Sequence, residues 1–163
     1  MPSDWIQRKA EKERTEAAST AREQELQLHN AEMTRALGPD FVKNLMNVLN
    51  EDIAAWNAAF KDRQVNGAMG IQNGFNLSKV GFPRGSADIT FNPSALRIDI
   101  HLQRSTAHGD GMYETEGFMY LEVNPDGKGI HMLERMRRNH IEPAGFSRMI
   151  LESIAEPMSN HMF

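Results

Sequence analysis

The spacing of the apolar residues changes once along this 163-residue chain, near residue 65, and this change constrains the fold more than any other feature. Between residues 39 and 62 the large apolar side chains recur every three or four positions, as in a helix that buries one face. These residues are Val42, Leu45, Met46, Leu49, Ile53, Trp56 and Phe60. After Val65-Asn66-Gly67 the period falls to two, the period of β-strands. Helices and strands in separate stretches of the chain predict an α+β protein.

Turn sequences divide the second half of the chain into short strands. They are Asn73-Gly74, Pro83-Arg84-Gly85, Asn92-Pro93-Ser94, residues 105–111 and Asn124-Pro125-Asp126-Gly127. Consecutive strands joined by short turns form an antiparallel meander, here of five or six strands. A C-terminal helix is predicted from about 143 to 156, because Pro143 suits a first helical position and Pro157 ends the pattern.

The first 35 residues favour helix but cannot form a core. They hold 13 charged side chains and few large apolar ones, with opposite charges at helical spacing, as at Lys9/Glu13 and Lys12/Glu16. Gly38-Pro39-Asp40 then predicts the end of this long N-terminal helix and the start of a separate core helix. We therefore predict a charged helical arm, residues 1–37, and a single α+β domain, residues 38–163.

Alanines in the arm raise the question of what it contacts. Ala10, Ala17 and Ala31 have heptad spacing, with Gln24 between them, but the pattern contains too little Leu and Ile for an ordinary coiled coil. Two interpretations stay open: a solvated arm, or a seam against another chain or against the protein's own domain.

Composition excludes several classes of function. The chain has no cysteine, which rules out thiol catalysis, zinc-thiolate sites and iron–sulfur clusters, and no serine lies in a G-x-S-x-G motif. Its net charge of -4 argues against nucleic acid as a partner, because phosphate binding needs Lys and Arg in excess. The one basic cluster is Arg135, Arg137, Arg138 and His140. We find no membrane span or signal peptide, so we expect a cytoplasmic protein with no membrane partner. We also expect no cofactor.

Candidate site residues follow from pairing the strands through two-residue turns. That register sets Asp88 opposite Asp99 on the outer sheet face, with His101 on the same face. Two carboxylates this close raise the pKa of one partner unless a cation or donor is near, so proton transfer or metal binding is conceivable, as is a solvated surface. The same register sets Tyr120 opposite His131 and Phe118 opposite Leu133, which gives a semi-apolar outer patch.

Two functions are consistent with these patterns. The first is a noncatalytic protein-interaction or scaffold module, homo-oligomeric through the helical arm or the outer sheet face, with itself or another protein as partner. The alternative is a small-molecule or metal-binding protein or enzyme with a site on the outer sheet face. Its candidate ligand-binding residues are Asp88, Asp99, His101, Phe118, Tyr120 and His131.

Overall fold

The computed structural model describes residues 3–69, 74–106, 109–136 and 138–156. Its elements are helix α1 (Asp4–Ala59), strands β1 (Val65–Met69), β2 (Gly74–Lys79), β3 (Gly85–Asn92), β4 (Arg97–Ser105), β5 (Met112–Val123), β6 (Ile130–Glu134) and β7 (His140–Ile141), and helix α2 (Pro143–Ala155). The predicted long N-terminal helix, antiparallel sheet and C-terminal helix are confirmed. The chain divides into two compact units, with the boundary between Met33 and Thr34.

The first unit consists of the N-terminal part of α1. From Ser3 to His29 every side chain is exposed except that of Ala10, which is half-buried. Three pairs of opposite charges one turn apart lie 3.7 to 4.0 Å from each other: Asp4–Arg8, Lys9–Glu13 and Lys12–Glu16. Exposed pairs of this kind contribute about 0.2–0.5 kcal/mol each, so they support the helix only modestly. In the described residues, no helix is both long and apolar enough to cross a membrane.

The second unit holds a core between two helices and one face of the sheet. Of the apolar side chains predicted from the helical period, those from Val42 to Ile53 are buried, whereas Trp56 and Phe60 are half-buried. From α2 the core receives Phe146, Ile150 and Ile154. The sheet contributes Phe75, Leu77, Ala87, Ile89, Phe91, Ile98, Ile100, Leu102, Met119, Leu121 and Met132. Alternate residues of every central strand are thus buried, as period two requires.

α1 continues through Gly38-Pro39-Asp40, so the predicted break between an arm helix and a separate core helix is wrong. Pro39 has no N–H to donate to the carbonyl of Arg35, which weakens the helix here without ending it. Gly38 allows a close approach to the sheet: a Cβ at this position would lie 2.3 Å from Cζ of Phe91. The two residues that suggested a helix end therefore mark a packing contact and one lost hydrogen bond.

In the described ranges the sheet has seven strands in the order of the sequence, each antiparallel to the next, so the prediction of five or six strands is wrong. The unforeseen strand is β7, which pairs Ile141 with Met132 and His140 with Leu133. Two residues are too few to display a period of two, so no sequence pattern could reveal it.

Both predicted registers are wrong by two residues. β3 and β4 pair Asn92 with Arg97, which leaves a four-residue loop where a two-residue turn is predicted. The Asn92 side chain stabilises this loop by accepting hydrogen bonds from the N–H groups of Ser94 and Ala95, at 3.2 and 3.0 Å. Leu96 adopts the left-handed conformation there, with φ 52°.

The β5–β6 loop is also two residues longer than predicted, since the N–H of Asn124 donates to the carbonyl of Gly129. Gly127 and Gly129 supply the positive φ angles that this loop needs. Because each shift is of two residues, every side chain keeps its predicted face and only its partner across the sheet changes.

α2 packs on the sheet where β3 begins. A Cβ on Gly85 would lie 2.3 Å from the main-chain oxygen of Ile154, so only glycine fits without a backbone shift. The guanidinium of Arg104 donates to the main-chain oxygen of Glu156 just beyond α2. Burial lowers the pKa of Arg104 from its ordinary value. These contacts fix the C-terminal end of α2 against β3 and β4.

Candidate functional site

The outer sheet face carries a groove of about 440 Å³, which we call the outer-face groove. It is lined by Asp88, Thr90, Arg97, Asp99, Ile100, His101, Glu116, Gly117, Phe118 and Arg135. Four of the six residues predicted as ligand-binding lie here: Asp88, Asp99, His101 and Phe118. They meet because β3, β4 and β5 are adjacent strands whose alternate residues point to this face.

The predicted pairing of Asp88 with Asp99 is wrong, because the corrected register sets Asp88 opposite His101 and Asp99 opposite Thr90. Each carboxylate has its own partners. Asp88 accepts a hydrogen bond of 2.5 Å from Nδ2 of Asn76. Asp99 forms an ion pair with Arg97, whose Nε lies 2.6 Å away without the alignment of a hydrogen bond. Asp99 also accepts a hydrogen bond of 3.1 Å from Nδ2 of Asn92. Neighbouring donors thus stabilise the charge of each aspartate. The two carboxylates are not directly opposite each other, which was the arrangement that suggested proton transfer.

His101 lies between carboxylates from two neighbouring strands. Its Nδ1 is 3.9 Å from Oδ2 of Asp88, and its Nε2 is 3.8 Å from Oε2 of Glu114. Both distances exceed a hydrogen bond, so the imidazole is placed to interact with the carboxylates by charge when protonated. Glu116 is directly opposite His101 on β5, which adds a third carboxylate to this end of the groove.

The other end of the groove is built on the ring of Phe118. The guanidinium carbon of Arg97 lies 4.3 Å from the ring centroid and that of Arg135 lies 4.9 Å from it. A guanidinium over an aromatic face is attracted by the ring quadrupole, typically by about 0.5–1 kcal/mol at an exposed site. The outer-face groove therefore has an acidic end around His101 and a basic end around Phe118. Neither arginine was among the predicted site residues, although the correct register places Arg97 next to Phe118 on this face.

Tyr120 and His131 lie outside the outer-face groove, and they do not pair with each other. Tyr120 is opposite Leu133, and His131 is opposite Glu122. Tyr120 meets the edge of Phe118 at 5.0 Å between ring centroids and lines a second groove of about 340 Å³. Nδ1 of His131 is 2.8 Å from Oδ1 of Asn124. The semi-apolar patch thus extends from Phe118 through Tyr120 to Leu133, while the side chain of His131 in β6 contacts Asn124 of the β5–β6 loop.

The basic cluster is divided among other contacts. Arg138 pairs with Glu122 at 2.7 Å, and Arg135 contacts Phe118. His140 lies 3.7 Å from a carboxylate oxygen of Glu142. Arg137 is outside the described residues. Within the described ranges no group of three or more His, Asp or Glu side chains is arranged to hold a metal ion.

The arm carries a second candidate surface, a narrow apolar stripe. With about 100° of rotation per residue, Ile6 and Leu28 fall on the same side of the helix as the predicted alanine heptad. The stripe, which we call the arm stripe, consists of Ile6, Ala10, Ala17, Ala21, Leu28 and Ala31, and two polar residues, Glu13 and Gln24, lie on the same side. Ile6 is 45% exposed and Leu28 is 66% exposed, although both are large apolar side chains.

We compared the chain with protein-family models, with curated proteins and with solved structures, and none of them matches. The function is therefore argued from the residues of this chain.

Proposed function

We propose that this protein is a noncatalytic interaction module that associates with a second copy of itself through the arm stripe. The observation that carries the proposal is the exposure of most of the arm: from Ser3 to His29 no side chain is buried, yet the segment is helical. Helices in proteins gain most of their stability from packing an apolar face. A second arm, which presents the same stripe, would supply that packing.

The composition of the arm supports a helix as the partner. Alanine at four of the six stripe positions lets two helix backbones approach closely, while Ile6 and Leu28 supply most of the apolar area. Acidic and basic residues are nearly balanced around the stripe, six basic against seven acidic in residues 1–35. Two copies therefore face each other without a large excess of like charge.

Magnitudes predict a weak, concentration-dependent assembly. Ile6 is 45% and Leu28 66% exposed, so burying their exposed parts in both copies would contribute about 3–7 kcal/mol, at roughly 1.5–3 kcal/mol for a fully exposed side chain. The loss of translational and rotational freedom costs about 4–15 kcal/mol. These terms are comparable, so the arms should associate at micromolar or higher protein concentrations and separate on dilution.

Truncation tests the proposal. The buried apolar residues of the described chain all lie between Val42 and Ala155, so a chain that begins at Thr34 keeps the whole core. We expect light scattering after size exclusion to find more copies per particle for the full chain than for the truncated chain at equal concentration. Equal numbers of copies across the concentration range would contradict the proposal.

A second candidate function is the binding of a small molecule in the outer-face groove. The observation in its favour is that one groove brings together four of the predicted ligand-binding residues, with the acidic end at His101 and the basic end at Arg135. A zwitterionic ligand would match both ends. Noncatalytic binding suits this groove, since its two aspartates are already held by neighbouring donors.

Thermal melting with a panel of amino acids and other small zwitterions tests the second candidate. A ligand that raises the melting temperature of the natural chain should lose its effect in Arg135→Ala and in His101→Gln, and keep it in the control Arg138→Ala, which alters a guanidinium outside the groove. No shift with any member of the panel would leave the groove as a solvated polar surface.

A further inference from the structure

We propose that β1 is a second interface, at which the edge strand pairs antiparallel with β1 of another copy. Within the described part of the chain β1 is an edge of the sheet, since only β2 pairs with it there. This interface is separate from the arm and does not depend on the function proposed above.

Hydrogen-bonded and non-hydrogen-bonded pairs alternate along an antiparallel ladder, and this alternation identifies the free main-chain groups of β1. The N–H of Val80 donates to the carbonyl of Gln64, and β1 and β2 continue in the same register to Met69. In an antiparallel ladder alternate residues face the partner strand, so Asn66 and Ala68 bond to β2. The N–H and C=O groups of Val65, Gly67 and Met69 therefore point away from β2, towards the open edge.

A side chain of α1 already bonds to the first of these residues, Val65. The Asn57 side chain accepts a hydrogen bond of 2.8 Å from the N–H of Val65 and donates another of 2.8 Å to the Val65 carbonyl. It therefore takes the place of a neighbouring strand at that residue. Within the described residues nothing comparable reaches the main chain of Gly67 or Met69. The open part of the edge is thus residues 66–69, all exposed.

This segment lacks the features that usually prevent edge pairing. Native edges are protected by charged side chains, proline or very short strands. The opposite edge, β7, is two residues long, whereas residues 66–69 are Asn, Gly, Ala and Met. A neutral edge can face its own copy without charge repulsion, which favours a second copy over a charged peptide.

One register of the pair uses the free groups and avoids Val65. A two-fold axis at Ala68 sets Gly67 of each copy opposite Met69 of the other, which gives four hydrogen bonds and leaves Asn57 in place. The side chain of Met69, 66% exposed, would then cover Gly67 of the other copy. At Gly67 the ring of Phe75 and Cδ1 of Ile53 fill the space of a side chain, and they would form an apolar surface for that methionine.

Amide hydrogen exchange on the full chain tests the interface directly. In the single chain the amides of Gly67 and Met69 face solvent, while those of Asn66 and Ala68 are bonded to β2. We expect exchange at Gly67 and Met69 to slow by at least about tenfold as protein concentration rises, because pairing must open before they exchange. Rates that stay fast at every concentration would overturn the proposal.

A charge exchange at the axis provides the mutational test. In Ala68→Lys or Ala68→Glu two like charges lie directly opposite each other, and each variant alone should lose the slow exchange. Isotope-labelled Ala68→Lys mixed with unlabelled Ala68→Glu should regain it at Gly67 and Met69. The control Ala95→Lys adds the same charge at an exposed loop residue and should retain the natural behaviour.

Two results of the exchange experiment would contradict the β1 interface: protection that persists in both single variants, or protection that the mixture fails to restore. Either leaves the arm untouched, since residue 68 is not in it. Conversely, loss of the arm contact changes the number of copies per particle without exposing the amides of Gly67 and Met69.

Discussion

At the scale of single residues, glycines in this protein do two different things. Gly127 and Gly129 provide positive φ angles in a loop, whereas Gly38 and Gly85 allow close approach of a helix to the sheet. The glycine turn signal is correct at Gly127, whereas Gly74 and Gly85, which it also assigns to turns, are the first residues of β2 and β3. It was wrong at Gly38, because a glycine that ends a helix and one that packs a helix against a ring look the same in sequence.

Gly85→Ala and Gly145→Ala should change stability in opposite directions. The added methyl at residue 85 would lie 2.3 Å from the oxygen of Ile154, and a backbone atom cannot rotate away. We expect a loss of about 1–3 kcal/mol in the free energy of unfolding, as for overpacked cores. Gly145 has nothing within 4 Å of its Cβ position and lies in α2, so alanine there should add about 0.4–1 kcal/mol. Urea unfolding measures both, and equal effects would contradict the Gly85 contact.

At the scale of elements, the period of the apolar residues predicts which faces are buried, whereas the lengths of the loops determine which residues pair across the sheet. The buried row of α1 and the inner faces of β3 and β4 agree with the sequence prediction, because burial imposes periods of 3.6 and 2. Cross-strand partners depend on the number of loop residues, and side-chain hydrogen bonds from Asn92 stabilise a longer loop than Asn-Pro alone suggests. The predicted pairing of Asp88 with Asp99 is wrong for this reason. Both residues still line the outer-face groove, because a shift of two residues leaves each side chain on the same face of the sheet.

Pro39→Ala tests whether α1 is one helix. Proline inside a helix costs roughly 3 kcal/mol relative to alanine, whereas proline at a first helical position costs little. In the continuous helix alanine restores the bond to the carbonyl of Arg35, so we expect the free energy of unfolding to rise by about 1–3 kcal/mol. Urea unfolding followed by circular dichroism measures it. An unchanged or lower stability would instead support a helix that starts at Pro39.

At the scale of the whole molecule, the account rests on surfaces that the single chain leaves open. The arm stripe, the β1 edge and the outer-face groove are three such surfaces, made by helix, strand edge and sheet face. Composition indicated the first, because a charged segment with spaced alanines cannot bury itself. No sequence pattern indicated the β1 edge, since it depends on which side of the strand β2 occupies and on the Asn57 side chain.

The molar mass of two neighbouring variants, Ala17→Arg and Ala18→Arg, shows whether the arm stripe joins two copies of the chain. Both residues are exposed alanines of the same helix, but only Ala17 belongs to the arm stripe. Arginine at 17 has one like charge, Arg14, and one opposite charge, Glu13, within a turn, whereas arginine at 18 has two like charges, Arg14 and Arg22. Helix stability therefore favours the variant at 17. A loss of assembly there is therefore not a loss of helix.

Both variants are best made together with Ala68→Lys, which removes any contribution from the β1 edge. By light scattering, the account predicts about two chains of 18.4 kDa per particle for Ala68→Lys alone and with Ala18→Arg, and one chain with Ala17→Arg. A single-chain mass for Ala68→Lys at every concentration, or the same mass for the variants at 17 and 18, would contradict it.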